Sequence, residues 1–286
     1  MREIEFIGKI ILTGDILTET GLFIGGFTPE GEIWGLDKAV LRNPVTGLPY
    51  LPGSSIKGKL RYLLERELDK PLNKSTNGKI LHECTSEEEY NTCPVCKLFG
   101  VRSRPDWSNY YTRLILRDVP LAPEKTGING KKLAEANLDF PWTEIKWEAT
   151  IDRINGSVLP RQQERVPAGA VFSPFEVIIN LFQPEDIELV YYLARSLQLL
   201  EDDYLGGGGS RGYGKIRFHQ LEVKIHSKNY REFLLPLQHL LSKQGAVPLS
   251  NLAISSLSTV QGVIGRFKPR VARKSIKTIL EKWFSK

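Results

Sequence analysis

The sequence is poor in the features that mark membrane, secreted and disordered proteins. No apolar run approaches the roughly 18 residues that a membrane span requires, so we expect neither a membrane protein nor a membrane partner. The first ten residues, MREIEFIGKI, carry charges and lack the apolar core of a secretory signal. Only three cysteines occur among 286 residues, which excludes a disulfide scaffold. Hydrophobic residues make up 41% and charged residues 25% of the chain, both ordinary values for a folded protein. We therefore expect a cytoplasmic protein of one large domain with insertions, or two modest domains.

Positive charge is concentrated at one end of the chain. The formal net charge is +6, from 39 basic and 33 acidic residues. Residues 266–286 contain eight Lys or Arg and one Glu, whereas residues 1–265 contain 31 basic and 32 acidic residues. The body of the chain can therefore bind a polyanion only through local clusters. The basic end either binds RNA or DNA, or forms a surface helix with a solvated face.

The three cysteines and one histidine form a metal-ligand pattern. His82 and Cys84 are separated by one residue, and Cys93 and Cys96 follow with the spacing C-x2-C. This set fits a tetrahedral Cys3His site for Zn²⁺. The alternative is three chance cysteines in a loop.

A catalytic role for this zinc ion is disfavoured. Nucleobase deaminases combine H-x-E with P-C-x-x-C, but Cys84 stands where the glutamate is required, and Thr92 stands where the proline is required. Four protein ligands also leave no open position for water. We expect structural zinc that pins an insertion spanning about residues 70–100.

The order of predicted elements is that of an α+β fold. A β-branched strand covers residues 4–13, and a helix with serine N-caps follows Gly53. A second helix runs from Pro184 to about Leu200. Further strands are predicted at residues 112–119, 143–152, 171–182 and 215–225. Strand, helix, strands, helix and strand is the order of a ferredoxin-like core, a common platform for RNA. Residues 227–286 are expected to form a mostly helical, basic extension.

A glycine-rich segment precedes the last predicted strand. Residues 206–214 with Lys215 contain G-x-x-x-x-G-K, but Ile216 replaces the Ser or Thr of a phosphate-binding loop. The order is also helix, loop and strand, whereas a phosphate-binding loop needs strand, loop and helix. Nucleotide hydrolysis is therefore not expected. Bare backbone with Arg211 for charge and Tyr213 for stacking favours contact with a phosphodiester; the alternative is a flexible linker.

Two further clusters are basic. At the start of the first helix, free backbone N–H groups near Ser54 and Ser55, with Lys57 and Arg61 one turn apart, indicate a phosphate site. The alternative is an ordinary capped amphipathic helix. The polar segment between two predicted strands resembles an extended hairpin arm whose arginines contact nucleic acid or a neighbouring subunit. A solvated surface hairpin is equally consistent with its composition.

The order of these motifs resembles that of a known family. The motifs are Ile24-Gly-Gly, Leu36-Asp37, Leu41-Arg42-x-Pro44, Leu51 to Arg61 (LPGSSIKGKLR), Thr150 to Arg153 (TIDR), Pro160-Arg161-x-x-Glu164-Arg165 and Tyr204 to Lys215 (YLGGGGSRGYGK). In this order they resemble the RAMP superfamily, and more narrowly the repeating backbone subunit of type III CRISPR–Cas effector complexes of the Csm type. The resemblance covers roughly residues 1–226.

The resemblance implies a fold and an activity. It implies a ferredoxin-like (RRM-like) palm over residues 1–226 with a β-hairpin thumb at about 143–172. Copies would stack as a filament along a guide RNA beside other subunits of the complex, and cut complementary target RNA at regular intervals with Mg²⁺ or Mn²⁺. Asp37, which chemistry alone would assign to a turn, would be the cleavage residue. The implied RNA-binding residues are Arg42, Ser54, Ser55, Lys57, Lys59, Arg61, Arg153, Arg161, Arg165, Gly207, Ser210, Arg211 and Tyr213.

Two other functions stay open from the sequence. The first is a scaffold that binds guide RNA without cutting, which differs from the enzyme only at Asp37. The second is a repeat-RNA processing nuclease, which often uses histidine. The histidines outside the metal pattern, His219, His226 and His239, lie near or beyond the last predicted strand, which disfavours this second alternative.

Overall fold

The computed structural model describes residues 6–25, 39–76, 78–102, 107, 110–128, 131–227 and 253–254. Its strands are β1 (Gly8–Thr18), β2 (Tyr50–Leu51), β3 (Lys74–Thr76), β4 (Lys79–Leu81), β5 (Leu114–Leu116), β6 (Val119–Pro120), β7 (Gly127–Ile128), β8 (Lys131–Lys132), β9 (Glu144–Ile151), β10 (Val158–Arg165), β11 (Val171–Leu181), β12 (Ile216–Ser227) and β13 (Ala253–Ile254). Its α-helices are α1 (Gly53–Glu67), α2 (Glu87–Thr92), α3 (Pro94–Phe99) and α4 (Leu189–Asp202). The fold is therefore α+β, with mixed helices and antiparallel sheets.

The central sheet has five strands in the order β13-β12-β1-β11-β5, and all neighbours are antiparallel. Strand β1 lies in the middle because its aliphatic side chains Ile10, Leu12 and Ile16 are buried. Its pairing shifts register near Gly14 on both sides, which is a β-bulge. The strand continues to Thr18, beyond the predicted end at residue 13.

Two amphipathic helices cover the sheet. Ile56, Leu60 and Leu64 of α1 are fully buried, at the spacing of one helix face. Leu193 and Leu197 of α4 are buried in the same way. The helices pack against each other, and α1 also contacts β5 while α4 contacts β12. Both predicted helices are confirmed, although a 3-10 turn at Pro184–Glu188 precedes α4.

The predicted serine caps of α1 are wrong. The N-cap is Pro52, and no side chain caps the helix locally. The backbone N–H of Gly53 donates instead to Oδ1 of Asp118, at 2.7 Å. A carboxylate at this position satisfies one free N–H group and complements the helix dipole. Sequence could not indicate this cap, because Asp118 is 65 residues away along the chain.

The polar segment after β9 is itself a strand. Strands β9 and β10 form a separate two-stranded hairpin, with Glu148 opposite Arg161. Strands β9 and β11 were predicted from the sequence, whereas no strand was predicted over residues 158–165. In the region beyond residue 226, Ala253–Ile254 pairs with β12, and residues 228–252 and 255–286 lie outside the described residues. Within the described ranges, no helix is both long and apolar enough to cross a membrane.

Candidate nucleic-acid interface and metal centre

The four side chains of the predicted metal pattern converge in the structure. His82, Cys84, Cys93 and Cys96 are all buried, and their ligand atoms lie within 4.8 Å of one another. Nε2 of His82 lies 3.7 Å from Sγ of Cys84 and 3.4 Å from Sγ of Cys93. Ligands bound at about 2.0–2.3 Å to a tetrahedral zinc ion are separated by about 3.5–3.8 Å. The two separations from His82 are close to those values, and the cluster can hold a metal.

The surroundings of the cluster orient its ligands. Nδ1 of His82 lies 3.0 Å from the carbonyl oxygen of Pro71. A proton on Nδ1 would leave the Nε2 lone pair facing the thiols, as metal-binding histidines require. The thiols of Cys84 and Cys96 donate hydrogen bonds that lower the pKa of Cys93. Three thiols in mutual contact thus favour a thiolate, and a cation would stabilise it.

Arg61 joins the metal cluster to helix α1. Its Nη2 donates to the carbonyl of His82 at 2.6 Å, its Nη1 to the carbonyl of Gly100 at 3.0 Å, and its Nε to Glu65 at 2.8 Å. Arg61 is one of the predicted RNA-binding residues, but all three of these contacts are to protein groups. These bonds attach the metal-binding insertion to α1 at its first metal ligand, His82, and at its end, Gly100.

The rest of the predicted phosphate site on α1 is also occupied by protein groups. Nζ of Lys57 donates to the carbonyl of Leu114 at 3.2 Å, and burial together with the Arg61 charge lowers the pKa of Lys57. Nζ of Lys59 pairs with Asp203 at 2.9 Å and lies 3.8 Å from the ring centroid of Tyr204. Ser54 is exposed and Ser55 partly exposed. With Asp118 at the N-terminus, this end of α1 already has an anion.

The glycine-rich segment is an ordered loop in the structure. The N–H of Gly207 donates to the carbonyl of Phe23 at 2.8 Å, and that of Gly214 donates to the carbonyl of Gly21 at 2.9 Å. The alternative of a flexible linker is therefore wrong. These bonds place the loop directly beside residues 21–23, which follow β1, and leave Ser210 and Arg211 exposed.

We expect Gly214→Ala to destabilise the protein more than Gly212→Ala. Both glycines have positive φ, +79° and +82°, so alanine costs about 1–2 kcal/mol at either position. Only at Gly214 would the added Cβ also clash with backbone, at the carbonyl oxygen of Leu205. That clash adds about 1–3 kcal/mol. Denaturant unfolding of the two variants measures the difference, and equal midpoints would contradict the close approach.

Four cations gather where the hairpin meets this loop. Glu148 of β9 forms ion pairs with Lys146 at 3.6 Å, Arg161 at 3.6 Å and Arg211 at 3.1 Å. Arg165 lies beside them, paired with Glu144 at 2.7 Å. Burial would raise the pKa of Glu148, but the Tyr213 hydroxyl and the neighbouring cations lower it. The carboxylate thus stays ionised and holds its cations together, with Arg161 and Arg211 each 48% exposed.

Tyr213 lies beneath these cations. Its ring is 2% exposed, so it is not available to stack on a base as the sequence analysis expected. Nζ of Lys146 lies 4.3 Å, and the guanidinium carbon of Arg165 5.1 Å, from the ring centroid. Burial and Glu148 raise the pKa of Tyr213 to about 12. The ring supports the cations through its π-face.

The chain segment that contains Asp37 begins and ends beside the same surface. Asp37 itself lies outside the described residues. Before this segment, Leu22 exchanges backbone hydrogen bonds of 2.7 and 2.8 Å with Val166, just after β10. Its two ends meet at the backbone bridge between Gly25 and Val40. The root of the hairpin, at Val166, therefore lies next to the glycine-rich loop and to both ends of the segment that contains Asp37.

Arg42 lies next to this junction, bonded to protein. Its Nη1 donates to the carbonyls of Gly47 at 3.1 Å and Pro141 at 3.0 Å. Its Nη2 donates to Oγ1 of Thr143 at 2.8 Å and Oε1 of Glu164 at 2.7 Å. Arg42 is one of the predicted RNA-binding residues, whereas these contacts join its own loop to the hairpin.

The structure brings together only part of the predicted site. Arg161, Arg165, Gly207, Ser210, Arg211 and Tyr213 lie around the hairpin root and the loop, whereas Arg153 lies exposed at the hairpin turn. Reasoning from sequence missed Lys146 and Glu148. Their signal was the i, i+2 spacing, which places two opposite charges on one face of a strand.

The chain is similar in sequence to proteins of a known family. The family model described as the RAMP superfamily matches residues 15–217. The chain is 39% identical over 235 residues to a protein of Methanocaldococcus jannaschii named CRISPR system Cms endoribonuclease Csm3, covering 81% of this chain and 87% of that protein. It is 38% identical over 237 residues to the protein of the same name from Methanothermobacter thermautotrophicus, covering 79% and 90%.

Two solved structures that contain Csm3 are also similar to this chain. A chain in the crystal structure of the Csm3-Csm4 subcomplex of a type III-A CRISPR-Cas interference complex is 28% identical, with a TM-score of 0.53, covering 92% of this chain and 98% of that one. The Csm3 crystal structure from Methanopyrus kandleri is 26% identical, with a TM-score of 0.51, covering 79% and 80%. The chain therefore belongs to the RAMP superfamily and, within it, to the Csm3 family.

Proposed function

We propose that this chain is the backbone subunit of a type III CRISPR–Cas interference complex, where it binds guide RNA and cleaves complementary target RNA at regular intervals. Relatives that are 38–39% identical over about four-fifths of the chain bear the name endoribonuclease. The observation that carries the proposal is the junction of three parts: the hairpin root, the glycine-rich loop and the two ends of the Asp37 segment. One surface thus combines cations for an RNA backbone with both ends of the segment that contains the predicted cleavage residue.

The fold is proposed to be a ferredoxin-like palm with a thumb. In the central sheet, β12-β1-β11-β5 has the fourth, first, third and second strands of a split βαβ arrangement, with α1 and α4 as the crossover helices. This order supports a palm over residues 1–226. The β9–β10 hairpin is the proposed thumb, with Arg153 at its turn.

The RNA contacts are proposed to lie mainly at the cation cluster. Exposed Arg161 and Arg211 suit phosphate groups, and Gly207 and Ser210 leave backbone accessible beside them. Arg165 and Tyr213 would support these cations from below. Because phosphate contacts carry no base information, guide binding would tolerate many sequences. On α1, exposed Ser54 remains a better candidate than its bonded neighbours.

Copies of the chain and other subunits are the proposed protein partners. The hairpin exposes large apolar side chains although it lies on the surface: Trp147 at 62%, Ile154 at 98% and Leu159 at 70%. Exposed apolar groups clustered on one arm favour contact with another macromolecule. A filament along guide RNA, in the cytoplasm, would bring the arm of one copy to its neighbour.

Two metals belong to the proposal. Zn²⁺ at His82, Cys84, Cys93 and Cys96 would be structural, because tetrahedral sulfur and nitrogen ligands are typical of zinc. Mg²⁺ or Mn²⁺ would supply charge stabilisation at the scissile phosphate. Asp37 would bind that ion or orient the 2′-OH that attacks the adjacent phosphodiester.

The test is cleavage by the reconstituted complex. Guide-complementary RNA with Mg²⁺ should give products at regular spacing, whereas non-complementary RNA or added chelator should give none. Tight, guide-dependent binding without cuts would contradict the enzyme and make the chain a non-catalytic scaffold.

A further inference from the structure

Glu164, on β10, is a buried carboxylate with three hydrogen-bond donors. The residue is 4% exposed. Oε2 accepts the backbone N–H of Val40 at 2.7 Å, and Oε1 accepts from Nη2 of Arg42 at 2.7 Å and from the hydroxyl of Thr143 at 2.6 Å. An ionised carboxylate is costly to bury unless its oxygens are bonded in this way. Here the cost of burying the charge is offset by hydrogen-bond donors from both the hairpin and the loop that precedes it.

These donors come from different parts of the chain. Thr143 stands immediately before β9, while Glu164 stands near the end of β10, so their bond closes the root of the hairpin. Val40 is the first residue after the Asp37 segment to form a backbone bridge, with Gly25 on the other side of that segment. The carboxylate therefore links the hairpin root to the point where the segment rejoins the palm.

A second set of bonds fixes the other side of the same junction. Val166, two residues after Glu164, exchanges backbone hydrogen bonds with Leu22. Arg42 extends the contact to the carbonyl of Pro141, before the hairpin. Hence both chain ends that flank residues 26–38 are attached to the hairpin root, and Glu164 supplies the only charged side-chain acceptor among these contacts.

We propose that Glu164 is a positioning residue for target-RNA cleavage, which holds Val40 and Arg42, where the chain continues after the Asp37 segment, against the hairpin root. The inference rests on the proposed function. The residue touches neither RNA nor the reacting atoms; it acts through Val40 and Arg42. Loss of its charge should therefore lower the rate of the chemical step and leave RNA affinity unchanged, because the exposed cations belong to the separate cluster around Glu148.

Glu164→Gln tests this with little change in shape. An amide has a single acceptor oxygen, so its NH₂ group must face either Val40 or the pair of Arg42 and Thr143, all of which are donors. We expect the single-turnover cleavage rate at saturating target RNA to fall about 10–100-fold, since misplacement by about 1 Å can cost 10²-fold. The target concentration at half-saturation should stay within about two-fold, because no phosphate contact is lost.

Two further variants keep the test decisive. Thr143→Val removes both hydrogen bonds of the hydroxyl, the one it donates to Glu164 and the one it accepts from Arg42, and leaves the ion pair. We expect a fall of about 3–10-fold in rate, and this variant decides the matter if the glutamine variant does not assemble. Glu67→Gln removes a carboxylate that pairs with Arg195 on the helices, at 2.6 Å, and should cut at the wild-type rate.

The outcomes separate this inference from the proposed function. Normal rates in Glu164→Gln and Thr143→Val, with a wild-type complex that cuts, would overturn the positioning role alone. Rate and RNA affinity that fall together would also overturn it, because they would indicate a purely structural residue. A wild-type complex that binds but never cuts would overturn the proposed function itself.

Discussion

Asp37→Asn should abolish target-RNA cleavage by the assembled complex while leaving guide and target binding intact. The substitution keeps the size of the side chain and removes its charge. A carboxylate can hold a divalent cation or accept the proton of an attacking 2′-OH, whereas an amide does both poorly. Acid–base assistance contributes about 10²–10⁴-fold, so the single-turnover rate should fall about 10³-fold. The measurement is product formation at saturating complementary RNA and Mg²⁺.

Asp69→Asn is the matched control for this variant. Asp69 is an exposed carboxylate just after α1, and its φ of +46° suits asparagine. It should cut at the wild-type rate. If Asp37→Asn also cut at that rate, Asp37 would be the turn residue that its local sequence suggests, and the cleavage residue would lie elsewhere. If the variant lost RNA binding, its loss of cleavage would say nothing about catalysis and would contradict the separation of the two roles.

The elements that sequence predicted best are those that bury one face. In α1, apolar residues at positions 56, 60 and 64 repeat at the helical period, so its existence could be read from pattern alone. Strand β10 could not be predicted in this way, because half of its residues are exposed and its second half is polar. Its pairing depends on β9 rather than on the core, and no alternation of burial marks it.

The candidate site was predictable where its members are close in sequence. The four metal ligands lie between residues 82 and 96, so their spacing carried the signal. The partners of basic residues were harder to predict, because the sequence does not show whether a positive side chain binds RNA or a carbonyl group of the protein. Arg61 bonds to Gly100, 39 residues away, and Arg42 bonds to Glu164, 122 residues away. Such partners are known only once the fold brings them together.

Cys96→Ser should remove the metal and unfold the insertion that carries it. Cys96 is fully buried among the other three ligands. A neutral serine hydroxyl is a poor replacement for a thiolate, and His82, Cys84 and Cys93 would be left buried without a shared cation. Structural zinc contributes about 10–16 kcal/mol of apparent binding free energy in small domains. We expect about one zinc ion per wild-type chain, near zero in the variant, and a fall in melting temperature of about 10 °C or more.

Val95→Ala is the control that shows how much stability is lost when a buried side chain near the metal ligands is shortened without removing a ligand. Val95 is fully buried next to Cys96 but offers no ligand, so its truncation should cost only about 1–3 kcal/mol and leave the zinc content unchanged. Treatment of the wild-type protein with a chelator should lower its melting temperature to that of Cys96→Ser. Because Arg61 bonds to the carbonyls of His82 and Gly100, loss of the metal should also loosen helix α1, seen as faster amide exchange there. Two results together would contradict the metal site: a wild-type protein without stoichiometric metal, and equal melting temperatures for Cys96→Ser and Val95→Ala. The cysteines would then be ordinary packing residues.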